Sequence, residues 1–225
     1  MKNIVYKIVI AGFFGLMCVY FSSCKKEQSV YHEYVNTVQD FEGSAMDYLK
    51  AQPKGTFDSL LLVLERCPAL ADSLSSQQVS LFAPVNKNFQ ASVKYLNLIR
   101  AAEGKAPVYL SNADPIALLY MMSKYIIRGN NNTDFYASSV DGLQLNSILS
   151  NYPMHVKYVK LSSAGYVGGG PSVLNFSDTH GSSFISAWTT TLTNAVNIKT
   201  NNATINILSP LHNFGFNDFS YLLDQ

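Results

Sequence analysis

The chain has 225 residues, a formal net charge of +1, 48% hydrophobic residues and only 14% charged ones. That length allows one large domain or two small ones, and the apolar fraction is enough for a real core. A chain so near neutrality and so sparsely charged offers nucleic acid no electrostatic footing, so no nucleic-acid partner is expected.

Residues 1–23 read as an export signal. Lys2 and Lys7 make a basic start, the run from Ile8 to Phe21 is almost wholly apolar, and Ser22-Ser23 precede Cys24. A membrane span needs about 20 apolar residues, and this run is shorter. Phe21-Ser22-Ser23-Cys24 resembles a bacterial lipobox, with Phe21 where Leu is usual. The resemblance implies that Cys24 becomes a lipidated N-terminus, held stably because more than one acyl chain inserts. An uncleaved anchor and an ordinary signal cut nearby are the alternatives. Cys18 falls in the removed segment, so Cys67 has no disulfide partner and reads as a small buried hydrophobe before Pro68. The Lys25-Lys26 start and the Asn-, Ser- and Tyr-rich composition resemble lipoproteins of the Bacteroidetes. That implies an outer-membrane address, with either face of the membrane open.

Residues 24–40 mix polar and aromatic types without period and read as a tether. Ser44 caps a short helix carrying Met46, Tyr48 and Leu49, which Pro53 and Gly55 end. Thr56 is placed to cap the next helix, where Phe57, Leu60, Leu61 and Leu64 form an apolar stripe that Pro68 breaks; Leu70 and Leu74 add a further turn. From Ser80 to Phe89 the spacing predicts a short buried strand running into a helix. Leu81-Phe82-Ala83 have no polar interruption, Pro84 ends the strand, Asn86 is expected to cap the helix, and Phe89, Val93 and Leu96 follow at helical spacing.

This run resembles the first signature of the fasciclin (FAS1) family, Thr-x-Phe-x-Pro-Thr-Asn/Asp-x-Ala-Phe. Phe82, Pro84, Asn86 and Phe89 match, while Ser80, Val85 and Asn88 depart from it. The preceding Phe-x-x-Leu-x-x-x-Leu helix stands where the family has one.

Residues 103–107 form a loop, and Asp114-Pro115 start a helix whose apolar side carries Ile116, Leu118, Leu119 and Met122. Residues 124–129 turn strand-like. They resemble the family's Tyr-His segment, with Ile126 in place of His, which argues against the integrin contact that animal members make there. After a loop at Asn130-Asn131-Asn132 the chain reads as β. Leu143, Leu145, Val156 and Tyr158 alternate, turns fall at 162–165 and 168–171, and strands are expected at 172–177, 183–189, 194–199 and 203–208. Thr200 to Ser209 resemble the family's second signature, Thr-x-Asn-Gly-Val-Ile-His-Val-Ile-Asp. Thr200, Asn202, Ile205 and the apolar pair Ile207-Leu208 agree; Ala203, Asn206 and Ser209 replace Gly, His and Asp. Asn201-Asn202 are expected to supply the left-handed turn. Asn206 keeps one hydrogen bond of the family's His without its titration.

The resemblance covers roughly 44–212. It implies one α+β domain over 41–225, a β-sandwich or wedge packed against several helices, with a non-enzymatic role in adhesion or extracellular binding. Catalytic motifs are absent from the sequence. Asp178-Thr179-His180-Gly181-Ser182 superficially resembles a subtilisin-type His-Gly-Thr, but the rest of that machinery is missing, as is a Gly-x-Ser-x-Gly elbow. His32, His155, His180 and His212 have no metal-ligand spacing, and Gly165 to Gly170 is no phosphate loop. Asp134, Asp141 and Asp178 matter only if folding gathers them. Neither cofactor nor metal is expected. Of the aromatics Tyr31, Tyr34, Tyr136, Tyr152, Tyr166 and Trp188, Tyr166 stands among glycines and serines and is the candidate contact for a protein or polysaccharide ligand. The alternative role is an accessory glycan-binding lipoprotein of an outer-membrane polysaccharide-uptake system.

Overall fold

The structure, a computed structural model, describes residues 39–163 and 167–225. Among them lie eight strands, β1 (Gln39–Asp40), β2 (Val79–Ala83), β3 (Ile126–Arg128), β4 (Leu143–Asn146), β5 (Pro153–Lys160), β6 (Ser172–Asp178), β7 (Thr189–Lys199) and β8 (Ala203–Leu208). The helices are α1 (Ala45–Ala51), α2 (Asp58–Arg66), α3 (Pro68–Ser76), α4 (Asn86–Ala102), α5 (Pro115–Ser123), α6 (Thr133–Ala137) and α7 (Asp218–Leu223). The fold is thus α+β.

The strands form one mixed sheet in the order β3-β2-β8-β7-β6-β5-β4, with β1 added in parallel to the end of β7. β2 and β8 run parallel, and the other neighbours run antiparallel. A bridge from Ile127 to Ser147, with the Ile148 N–H donating to the Ile126 carbonyl at 2.8 Å, brings the β4 end back to β3. The result is a single, nearly closed sheet where a sandwich or wedge was expected.

All five residues of β2 are buried, as a parallel strand covered on both faces requires. Its neighbour is the late strand β8, in the register Leu81↔Ile205, Phe82↔Asn206 and Ala83↔Ile207. Phe82 stacks on Phe176 at 4.0 Å with rings 4° apart, and Phe89 packs on Phe214 at 4.3 Å. Pro84 ends β2 and is buried.

Two helix caps differ from expectation. Asn86 is the first residue of α4, not its cap. Its side-chain oxygen accepts the Ser59 N–H at 2.8 Å and its amide donates to Asp58 Oδ2 at 2.9 Å, so it caps α2 from across the fold. Thr56 therefore caps nothing; Phe57, fully buried, takes the position before α2. The start of α4 is tied instead by Asn88, whose Oδ1 accepts the Val85 N–H at 2.7 Å. Ser44 caps α1 and Asp114 caps α5 ahead of Pro115, both as read from the sequence, and Asp47 completes a reciprocal capping box with Ser44. The helical run breaks at Pro68 as read: α2 ends at Arg66 and Pro68 opens α3.

The segment 183–189 is not a strand. Residues Ile185–Ala187 make a 3-10 turn, closed by Trp188, whose Nε1 donates to the Ser182 carbonyl at 2.8 Å while its ring packs on His155. β7 then runs eleven residues, pairing with β6 up to Leu192 and with β8 from Thr193. Register shifts on either side of Ala195 bend it, and Asn197 takes φ 61° within the second. The tether ends earlier than expected, because Gln39 and Asp40 already pair with Ile198 and Lys199.

The β7–β8 turn is pinned without left-handed residues: neither Asn201 nor Asn202 has positive φ. The Thr200 hydroxyl accepts the Ala203 N–H at 3.0 Å, and the Thr200 N–H donates to the Ala203 carbonyl at 2.8 Å. Asn202 reaches outward. Its Oδ1 accepts the Ala45 N–H at the start of α1 (2.9 Å), and its amide donates to the Leu74 (3.0 Å) and Gln77 (2.9 Å) carbonyls at the end of α3. Asn206 accepts the Asn197 N–H at 3.2 Å, while its amide nitrogen has no partner among the described residues.

Behind β2, Tyr125 accepts the Gly215 N–H at 2.7 Å, so its own proton is directed to His212 Nε2, also 2.7 Å away. Burial lowers the His212 pKa to about 3 and raises that of Tyr125 well above the ordinary phenol value.

Two outcomes follow. Asn202→Ala strands two buried backbone groups and one part-buried one and should cost about 3 kcal/mol in urea unfolding; a change below about 0.5 kcal/mol would remove the side chain from this role. Because His212 is lowered from 6.5 to about 3 on folding, its contribution is complete above pH 6.5 and declines as pH falls toward 3. Stability measured between pH 6.5 and 4 should fall by up to about 1.4 kcal/mol per pH unit from this group. His212→Gln should flatten that slope.

Candidate functional site

One end of the fold gathers charged and aromatic side chains that no local pattern announces. α5 stops at Lys124, which is fully buried. Its Nζ donates to Asp178 Oδ2 at 2.6 Å and to Asp218 Oδ2 at 2.7 Å. Asp178 closes β6 and is also fully buried; its other oxygen accepts the Tyr152 hydroxyl at 2.7 Å and the His180 N–H at 2.8 Å. Asp218 opens α7 and remains 23% accessible.

The backbone that delivers Asp218 is strained. Gly215, Phe216 and Asn217 all have positive φ, at 87°, 52° and 78°. Glycine suits the first, where an added Cβ would lie 2.8 Å from the Met121 sulfur. Phe216 has no such freedom, and a left-handed bulky residue costs roughly 1–2 kcal/mol. It is held there by ring contacts to His212 (4.6 Å), Tyr125 (5.4 Å) and Phe176 (5.5 Å).

Burial works to lower the Lys124 pKa, but the hydrogen bonds and charges of Asp178 and Asp218 outweigh it and hold the amine above its ordinary value. Burial, then the bond to Asp178, raise the Tyr152 phenol far above its usual range. The amine is therefore an ammonium at neutral pH, and the triad carries one net negative charge.

Asp218 of the triad lines a cleft of about 720 Å³, whose walls include Asp114, Ile116, Tyr120, Tyr152, His180 and Tyr221. Lys124 Nζ lies 4.8 Å from the Tyr120 ring centre and 4.4 Å from that of Tyr152, with the two rings edge-to-face. Nothing in this arrangement activates a nucleophile: the amine is protonated and doubly bonded, and the Tyr152 hydroxyl is committed to Asp178. Among the described residues no three His, Cys, Asp or Glu side chains converge as a metal site would. The arrangement can bind, and it can hold three elements together.

The residues singled out in the sequence distribute otherwise. Phe82, Pro84, Asn86 and Phe89 come together with Thr200, Asn202, Ile205 and Ile207 around the β2–β8 pair, where they pack and cap. Cys24 and Tyr166, with Tyr31 and Tyr34, lie outside the described residues. Tyr136 is buried in the core rather than exposed, and Trp188 is half-buried. Asp178 is gathered with Lys124 and Asp218, not with Asp134 or Asp141. The sequence reading missed Lys124, Asp218, Tyr120 and Tyr221. One signal was available: Lys124 is a lone charge between Met121-Met122-Ser123 and Tyr125-Ile126-Ile127, which a buried amine must answer with a carboxylate.

No family model matches the chain, and no curated protein matches its sequence. Among solved structures it is similar to a FAS1 domain pair from the insect cell adhesion molecule fasciclin I, at 13% identity and a TM-score of 0.46, over 70% of this chain and 44% of that one. The chain thus spans less than half the length of that pair.

Lys124→Met leaves Asp178 buried without its counter-charge and should destabilise by about 3–5 kcal/mol in chemical denaturation. A loss under about 1 kcal/mol would show that the triad does not hold the three elements.

Proposed function

We propose that the chain is a cell-envelope lipoprotein with a divergent fasciclin-like domain, acting by non-enzymatic adhesion or extracellular binding. One observation carries the reading. The two segments that resemble the family's signatures, 123 residues apart at Phe82 and Ile205, lie side by side as β2 and β8 in a continuous parallel register. Separate local resemblances have no reason to meet in this way. The chemistry of the cleft adds support, since the Lys124 amine and the Tyr152 hydroxyl are both committed to the triad's carboxylates.

The envelope part rests on the N-terminal sequence. A basic start, an apolar run and Phe21-Ser22-Ser23-Cys24 support Cys24 as the lipidated residue, and Lys25-Lys26 with the Asn-, Ser- and Tyr-rich composition support an outer-membrane address. Among the described residues no helix is long and apolar enough to cross a membrane. The partner of such a domain is a protein or polysaccharide outside the cytoplasm.

Cys24→Ala, expressed in a Gram-negative host and fractionated, should move the protein from the membrane to the soluble extract. Continued membrane retention would overturn the lipoprotein assignment.

A further inference from the structure

The walls of the cleft have a chemistry more specific than exposure. Their carboxylates are Asp114 and Asp218, no Lys or Arg side chain lines the cleft, and the remaining polar walls are tyrosines, His180 and Gln225. The triad to which Asp218 belongs carries one net negative charge, so with Asp114 the total is two. Two of the tyrosines already hold a cation: the Lys124 ammonium lies against Tyr120 and Tyr152 while bonded to two carboxylates. Tyr221, 76% exposed, and Ile116, 74% exposed, form an apolar rim where the stem of a long side chain can lie.

We propose that this cleft receives a lysine or arginine side chain from a protein partner, its cationic head between Asp114 and Asp218 and its stem against Tyr221 and Ile116. The proposal rests on the reading of the domain as a binding module and names the chemistry of what it binds. An anionic partner is excluded by the same charges, because it would meet two carboxylates and no free cation.

The test uses the purified full chain, kept in mild detergent, on a biolayer sensor. The probes are the peptide acetyl-Gly-Arg-Gly-Arg-Gly-amide, its counterpart with Glu for Arg, and maltoheptaose as a neutral sugar. The Arg peptide should bind, the Glu peptide should not, and the signal should fall as salt is raised. Asp114→Asn keeps the helix cap and Tyr221→Ala alters an exposed ring, so both variants should fold with unchanged circular dichroism. Each should weaken the Arg peptide about fivefold. Binding indifferent to both variants, or no binding, overturns the proposal. Maltoheptaose binding that both variants abolish reassigns the cleft to sugars and equally overturns it. None of these outcomes bears on the membrane fractionation of Cys24→Ala, so the two readings fail separately.

Discussion

The parallel pairing of β2 with β8 is the constraint from which the rest of the architecture follows. Parallel neighbours cannot be joined by a turn, so everything between Ala83 and Ala203 must leave the sheet and return. It returns by adding β3 on one side of β2 and β7, β6, β5 and β4 on the other side of β8, until β4 meets β3 again. Such a pairing is costly to close, since its partners are far apart in sequence. The structure secures it at both ends with buried amides. Asn202 fastens the start of β8 to α1 and α3. At the other end, Asn88 donates to the carbonyls of Ser209 (2.9 Å) and His212 (2.8 Å), tying the start of α4 to the segment that follows β8.

The Lys124 triad is a second, independent fastening at the far side of the sheet. It joins the end of α5, the end of β6 and the start of α7, pairs separated by 54 and 94 residues. A buried ammonium is stabilising only where its partners are already in place, which makes it a device of geometry more than of net energy. The left-handed run from Gly215 to Asn217 fits that view: the backbone accepts strain so that Asp218 arrives within 2.7 Å of the amine. The same run directs the Gly215 N–H to Tyr125, linking the triad to the aromatic core around His212.

Much of this was legible in the sequence where the signal is local. Ser44, and Asp114 with Pro115, mark helix starts locally, and both hold. The apolar run Leu81-Phe82-Ala83 in β2 and the alternation of β4 and β5 needed no tertiary knowledge. Errors arose where a residue works at a distance or where an element lacks the usual pattern. Asn86 has the chemistry of a cap, but its acceptor serves a helix 27 residues away. β7 was divided because its first part, Thr189-Thr190-Thr191-Leu192, pairs regularly with β6 but shows no alternation of apolar and polar residues. Asn88 passed as a mere departure from Ala, although it is fully buried and makes three hydrogen bonds. α7, six residues long, is too short to show a period. Asp218 and Asp178 look like ordinary surface acids until folding sets them on one amine.

The way the chain enters the sheet determines how the domain meets tension. β1 lies parallel to the end of β7, so traction applied ahead of Gln39 acts along the strand axis and loads that ladder in shear. The pull then reaches, in chain order, the Phe41 N–H on the Lys199 carbonyl, the Gly43 carbonyl that accepts from Asn201, and the Ala45 N–H on Asn202. These successive attachments all converge on the β7–β8 hairpin. Mechanical load is thereby delivered first to residues 199–202 and, through the Phe41 ring, to its edge-to-face contact with Tyr48.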